Sequence, residues 1–381
     1  MLRRFEVKNF KNFNDWFVFD LSDVKNYEFN PECIENNIVS KAMVYGPNGC
    51  GKSNLGRAIF DIQTHLKDGK VDPEYSNHYL NAESESGIAE FKFIFQFARS
   101  QVEYTYGKTA VDKLVYENLI VDGKKVISLD RRTNSTAMVD LAGAETLNLD
   151  LKDSDISVVK YVRSNAVLAD DPTNNAIKNF LLFVQLMLIE QSVHSHFKVM
   201  RNENPQFISR KFLKAEDGLK KFESFLNEVG VKCRLATIDA NGDKKIAFAF
   251  NKENVDFFSV ASTGTRSLTE LYLYLMWLEE HIEMCKKNAD AVILPFIFID
   301  EFDAFYHNVA STLIVERLKD LNCQVVLTTH NTSIMSNDLL RPDCYFIMSE
   351  TEISPMYKFT DKDLRKAHNI EKMYRAGAFD G

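Results

Sequence analysis

The chain has 381 residues, 45% of them hydrophobic, which is enough to bury a large core in one or two domains. Its formal net charge of -8 argues against a protein that coats nucleic acid without sequence preference. The six cysteines (Cys33, Cys50, Cys233, Cys285, Cys323 and Cys344) contain no C-x-x-C pair, so neither a zinc site nor a disulfide framework is expected and a reducing cytoplasm suits the chain.

In chain order, Met1-Leu2-Arg3-Arg4-Phe5-Glu6-Val7 has no apolar signal core, and Phe5, Val7, Phe17 and Phe19 sit at strand spacings. The apolar run Ala42-Met43-Val44-Tyr45 then predicts a strand. It leads into Gly46-Pro47-Asn48-Gly49-Cys50-Gly51-Lys52-Ser53, a complete G-x4-G-K-S phosphate-binding loop. Asn54-Leu55-Gly56-Arg57-Ala58-Ile59-Phe60 reads as the helix the loop must open onto. The glycines let backbone N–H groups converge on phosphate oxygens, and the helix N-terminus adds its positive end. The residues expected to hold ATP are Gly46, Asn48, Gly49, Gly51, Lys52, Ser53 and Asn54, with Lys52 reaching the β- and γ-phosphates and Ser53 ligating Mg²⁺.

Around residues 88–150 the pattern changes to antiparallel hairpins. Phe91, Phe93, Phe95 and Phe97 alternate strictly, Val102, Tyr104 and Tyr106 continue on a partner strand, and Asp122-Gly123 is a hairpin turn. The apolar run Phe180–Ile189 is about half a membrane span and predicts a buried helix, so a soluble protein is expected. Helical periodicity runs through residues 174–229. Lys198, Arg201, Arg210, Lys211, Lys214, Lys220 and Lys221 make the one basic stretch of note: a solvated helix face or a surface for nucleic acid or an acidic partner.

Ser262-Thr263-Gly264 opens an amphipathic helix through Leu271, Leu275 and Leu278, offering a hydroxyl and free N–H groups at a helix start. Ala291 to Ile299 predicts an apolar strand ending in Asp300-Glu301. After a phosphate loop, such a pair places Asp300 on the Mg²⁺ shell and makes Glu301 the general base for the attacking water. Gln324 to Thr329 predicts another buried strand, capped by His330, and a polar tail helix is expected around 361–375.

These four elements, in this order, resemble the ABC-type ATPase heads of the SMC/RecF superfamily. The opening Leu2-Arg3-Arg4-Phe5-Glu6-Val7-Lys8-Asn9-Phe10-Lys11-Asn12-Phe13 is similar to that superfamily's first strand and turn. Asp300-Glu301-Phe302-Asp303-Ala304-Phe305-Tyr306-His307, Ser262-x-Gly264-Thr265-Arg266 and Thr328-Thr329-His330 further resemble the OLD-type ATPases. The tail Tyr374 to Gly381 is similar to small stand-alone ATPases of anti-phage and abortive-infection operons. The chain departs from the pattern at Thr263, where transporters have glycine, and at His307, where SMC heads carry an aspartate. Gln63 and Gln96 are both candidates for the Q-loop glutamine.

The resemblance implies an α/β fold: an ABC/SMC-head-like P-loop ATPase with an antiparallel β lobe and a helical insertion. The expected division is residues 1–173, 174–229 for the insertion and 230–381. It implies ATP and Mg²⁺ as cofactors, catalytic roles for Glu301 and the γ-phosphate-sensing His330, and Ser262 and Gly264 as a signature contacting ATP held by another subunit. Partners would then be a second copy or a higher homo-oligomer and a separately encoded effector, a nuclease or toxin, released by a phage-encoded trigger in the cytoplasm with no membrane involved. The competing expectation is a RecF/SMC-like repair ATPase that binds DNA directly.

Overall fold

The computed structural model describes residues 1–68, 73–151, 154–191, 212, 217–240, 243–288, 294–304 and 307–379. Five strands form the parallel part of a six-stranded sheet, in the order Leu188–Gln191, Phe296–Asp300, Gln324–Thr328, Lys41–Tyr45 and Tyr345–Met348. Ile353–Pro355 pairs antiparallel at the edge. The three central strands are buried at every residue. Continuous apolar runs behave this way when a parallel sheet is covered on both faces.

A second, seven-stranded antiparallel sheet runs in the order Met138–Val139, Lys124–Asp130, Lys113–Val121, Ser100–Ala110, Ala89–Phe97, Leu2–Lys8 and Phe17–Asp20. The strict alternation read from the phenylalanines is observed over Ala89–Phe97, whose odd-numbered residues are buried and even-numbered ones half-buried. Phe95, Phe93 and Phe91 face Val102, Tyr104 and Tyr106, as expected, while Phe5 and Val7 add the other neighbour. Asp122 and Gly123 turn the next hairpin with φ of 49° and 80°, the left-handed pair a tight hairpin needs.

Helix Pro172–Leu186 packs on this sheet, with Asp171 capping it through the Asn174 N–H and Phe180 and Phe183 set against Phe95. Phe183 also meets Phe296 at 6.3 Å between ring centroids, so the helix seals one core between the sheets. The expected single helix over Phe180–Ile189 is corrected here. It stops at Leu186, Met187 is extended, and Leu188–Gln191 becomes the edge strand beside Phe296–Asp300. Short apolar runs fit either state by periodicity, and the open edge of a buried parallel sheet supplied the hydrogen-bond partners that decided it.

The other half of the expected helical region forms a smaller structure with its own core. Helix Gly218–Glu228 packs against the meander Leu235–Ala240, Asp243–Ala249 and Asn254–Asp256, around Phe212, Phe222, Phe225, Ile246, Phe257 and Tyr272. The long helix Thr263–Asn288 joins the two cores, giving Leu268, Tyr272 and Leu273 to the small one and Leu271, Tyr274 and Leu275 to the large one. Of the basic stretch, Lys198, Arg201, Arg210, Lys211 and Lys214 lie outside the described residues, as do Phe305 and Tyr306 of the acidic motif and Ala291 to Ile293 of its expected strand. Lys220 is an exposed helix-face residue paired with Asp217.

The tail also differs from expectation. Only Ile370–Arg375 is helical, capped by Asn369, whereas 361–369 forms bends and turns. The buried Asn337 amide donates to the carbonyls of Arg365 and His368, giving that segment side-chain partners in place of a helical ladder. Among the described residues, no helix is long and apolar enough to cross a membrane.

Candidate functional site

The phosphate loop joins the central strand Lys41–Tyr45 to helix Lys52–Phe60, the strand–loop–helix context the motif requires. Two of its glycines are required by their surroundings. A Cβ at Gly46 would lie 2.4 Å from the Met348 carbonyl oxygen on the neighbouring strand. Gly51 has φ of 103°, and a Cβ there would lie 2.3 Å from the Asn12 side-chain nitrogen.

Asn12 comes from the turn after the first strand and braces the loop from outside. Its amide oxygen accepts from Asn54 Nδ2 at 2.7 Å, and its nitrogen donates to the Cys50 carbonyl at 3.5 Å. Lys52 is 6% exposed, and its ammonium donates to the carbonyls of Gly46 at 2.9 Å and Pro47 at 3.0 Å. Burial lowers its pKa, opposed by charge from Cys50, Asp300 and Glu301. Asn48 and Gly49 are exposed at the loop tip, while Ser53 and Asn54 sit half-buried in the first helical turn.

Behind the loop, the helix ends at Asp61, whose fully buried carboxylate is saturated by four donors. Oδ1 takes the Tyr106 hydroxyl at 2.9 Å and the Lys108 ammonium at 2.8 Å. Oδ2 takes the hydroxyls of Tyr75 at 3.0 Å and Tyr79 at 2.9 Å. The phosphate-loop helix is thereby tied to the antiparallel sheet.

Asp300 and Glu301 end the adjacent-but-one strand, and one hydroxyl organises both. Thr328 Oγ1 donates to Asp300 Oδ1 at 2.6 Å and accepts the Glu301 backbone N–H at 2.8 Å. Glu301 has φ of 47°, a left-handed conformation uncommon for a side-chain-bearing residue, which breaks the extended run of the strand at that residue. His330 follows the Gln324–Thr328 strand and is exposed. Burial and the Lys52 charge lower its pKa, while Glu301, Asp303 and Asp300 pull it back up. Lys52, Asp300, Glu301 and His330 therefore share one electrostatic neighbourhood, although they come from three separate stretches of chain.

Ser262 and Gly264 stand apart. Ser262 caps the long helix by accepting the Thr265 N–H at 3.1 Å and meeting the Thr265 hydroxyl at 2.9 Å. Among the described residues, no hydrogen bond or ion pair joins Ser262 or Gly264 to the phosphate loop. His307 is exposed at the N-cap of helix Asn308–Asp320.

Neither expected glutamine is engaged at this site. The Gln63 amide donates to the carbonyls of Val184 and Met187, closing the end of the buried helix, and Gln96 donates within its own hairpin, to Ala98 and Ser100. The register instead sets Gln191 directly opposite Asp300 on the edge strand. Sequence reading passed over Gln191 because its strand was taken for helix. It quoted Asn12 and Thr328 within longer motifs but gave them no role, because their partners lie far away in sequence.

The donors fit a magnesium nucleotide. Ser53 and Asp300 offer hard oxygens, and a magnesium ion bound with phosphates needs few protein ligands. Among the described residues, no cluster of three or more His, Cys, Asp or Glu could hold a metal ion by itself.

No curated protein sequence matches this chain. Among solved structures, an SMC head domain from Thermotoga maritima aligns with a TM-score of 0.43 at 15% identity, covering 93% of this chain and 98% of that one. A crystal structure of the SmcHead bound to the C-winged helix domain of ScpA aligns with a TM-score of 0.48 at 15% identity, covering 92% and 96%. The family described as "AAA domain, putative AbiEii toxin, Type IV TA system" matches residues 41–336, a span that runs from the phosphate-loop strand past His330. With its phosphate loop on the central strand of a parallel sheet, the chain belongs to this family of AAA domains.

Proposed function

We propose that the chain is an ATPase that hydrolyses ATP between two copies of itself and uses the cycle to hold and release a separately encoded toxic effector during phage infection. One observation carries the reading. Lys52, Asp300, Glu301 and His330 lie close enough for their charges to act on one another, whereas among the described residues no hydrogen bond or ion pair joins Ser262 or Gly264 to the phosphate loop.

In this reading Lys52 leaves the loop carbonyls for the β- and γ-phosphate oxygens, and the loop's N–H groups cradle the same charge. Ser53 and Asp300 hold magnesium, which supplies charge neutralisation at the phosphates when bound. Glu301, its backbone N–H held by Thr328, accepts a proton from the attacking water. His330, neutral near pH 7 because its pKa is lowered, would offer its ring N–H to the terminal phosphate. Gln191 completes the strand-end row beside Asp300. Ser262 and Gly264 present a hydroxyl and a helix N-terminus to the nucleotide of the neighbouring copy.

The family description, which names a toxin–antitoxin system, supports a conflict role over direct DNA repair. The net charge of -8 points the same way. The cytoplasm is the compartment this role requires. The test is copurification from cells with the neighbouring gene product, with and without infection, using ATP hydrolysis as the second readout. An ATP-dependent complex with a nuclease or toxin supports the reading. Growth arrest by this chain alone would make the chain itself the toxic component, and binding to DNA without any protein partner would favour repair.

A further inference from the structure

The turn after the acidic pair carries another carboxylate, Asp303, with no part in the scheme above. It is 9% exposed, and its Oδ1 accepts the hydroxyl of Thr329 at 2.7 Å. Thr329 is fully buried, and its Oγ1 in turn accepts the Asn331 backbone N–H at 2.9 Å. A single hydroxyl thus donates to one partner and accepts from the other across His330. Two further bonds fasten the far side of the histidine: Asn331 Nδ2 donates to Asn308 Oδ1 at 2.9 Å, and the Tyr45 hydroxyl donates to the Asn331 carbonyl at 3.2 Å. Tyr45 immediately precedes the phosphate loop.

The imidazole itself is exposed, so its placement depends on the backbone on either side. On the strand side, Thr328 is bound to Asp300 and Glu301; on the loop side, Thr329 and Asn331 are bound to Asp303, Tyr45 and Asn308. Burial raises the Asp303 carboxyl above the ordinary range, while hydrogen bonds from Thr329 and Asn331 and the charge of His330 favour its ionised form.

We propose that Asp303 is a positioning residue of the hydrolytic centre, fixing the Thr329 hydroxyl and, through it, the turn that presents His330 to the terminal phosphate. This rests on the ATP-hydrolysis reading above. A carboxylate suits the task because it only accepts, which leaves the threonine lone pair for Asn331 N–H. A misplacement of about 1 Å at such a distance from the chemistry costs on the order of 10²-fold in rate.

The test compares two broken links with two conserved ones in the full chain. Asp303→Ala and Thr329→Val each remove the bond, whereas Asp303→Asn and Thr329→Ser keep an acceptor and a hydroxyl. The expected result is a kcat lower by about 10²-fold in the first pair, with ATP affinity by calorimetry unchanged and a melting temperature lowered only modestly by the one lost buried bond, and near wild-type kcat in the second. Wild-type protein that neither binds nor hydrolyses ATP would refute the functional reading before any variant is measured. With an active wild type, three outcomes overturn the positioning role. Asp303→Ala could turn over normally. It could lose ATP affinity and melting temperature along with rate, which would mark a structural role. Or Asp303→Asn could be as slow as Asp303→Ala, which would mean that the charge matters and the hydrogen bond does not.

Discussion

The two cores of this molecule hold their parts of the proposed nucleotide site in different ways. The large core carries the phosphate loop, the acidic pair and the histidine on the ends of neighbouring strands, and each is held by hydrogen bonds from elsewhere in the chain. Beside the small core, Ser262 is exposed and Gly264 half-buried at a helix start, and among the described residues Ser262 is held by a local cap. In the function proposed above, a preorganised half-site and a lightly held one are what a composite site would need before a second subunit arrives. Each half can then be broken without the other.

The largest effect is expected at Lys52. Lys52→Ala removes the only point charge on the loop and should abolish ATP binding in calorimetry; retained affinity would dissolve the assignment of the large core as the nucleotide side. Glu301→Gln comes next. It should bind ATP normally yet hydrolyse it about 10²–10⁴-fold more slowly, accumulating an ATP-bound assembly visible by size-exclusion chromatography. Wild-type turnover would move the general base to another residue.

Ser262→Arg and Gly264→Asp put the other core to the test. Both should leave ATP binding by the isolated chain intact and block hydrolysis and ATP-driven association. If either loses ATP affinity as completely as Lys52→Ala, the motif acts within its own chain and the two-region picture collapses. Phe222→Ala sharpens the same contrast through packing. Phe222 is fully buried with its ring stacked 4.4 Å from Phe212, so its loss costs about 3–5 kcal/mol. Hydrogen exchange should rise in Gly218–Glu228 and the meander while Lys41–Tyr45 stays protected. Exchange rising equally in both would mean that the cores unfold as one unit.

The smallest effect concerns protonation. The His330 pKa is lowered below 6.5, so the ring is neutral at pH 7, and its proton binding weakens the folded state only as pH falls below that value. An NMR titration of the imidazole should place the midpoint under 6.5. A midpoint above it would mean that Glu301, Asp303 and Asp300 together outweigh burial and Lys52.

Much of the large core was readable in advance because its signals are contiguous. The loop is eight consecutive residues, the acidic pair ends an apolar run, and the phenylalanine alternation at 91–97 has period two over enough residues to exclude a helix. What escaped reading depends on contacts across the fold. Leu188–Gln191 is apolar enough for a helix and became a strand only because Phe296–Asp300 offered it an edge. Asn12 braces the loop across the chain, and the threonines before His330 matter through carboxylates on the neighbouring strand. The tail reads as helix from 361, but Asn337 satisfies its carbonyls from another segment, and regular structure begins only at Ile370.

The Asp61 knot has an evolutionary consequence. Its carboxylate accepts from three tyrosines and one lysine on two separate segments, all buried but the half-buried Tyr75. Removing the acid alone strands the Lys108 ammonium in the interior, and removing the lysine alone strands the carboxylate; either costs about 3–5 kcal/mol, a large fraction of what keeps a domain folded. A purely apolar replacement would require several substitutions at once, since each intermediate is worse than either end. The junction between phosphate-loop helix and antiparallel sheet is thus walled off from stepwise mutation, and descendants of this chain should vary in the small core, the meander and the tail long before they vary there.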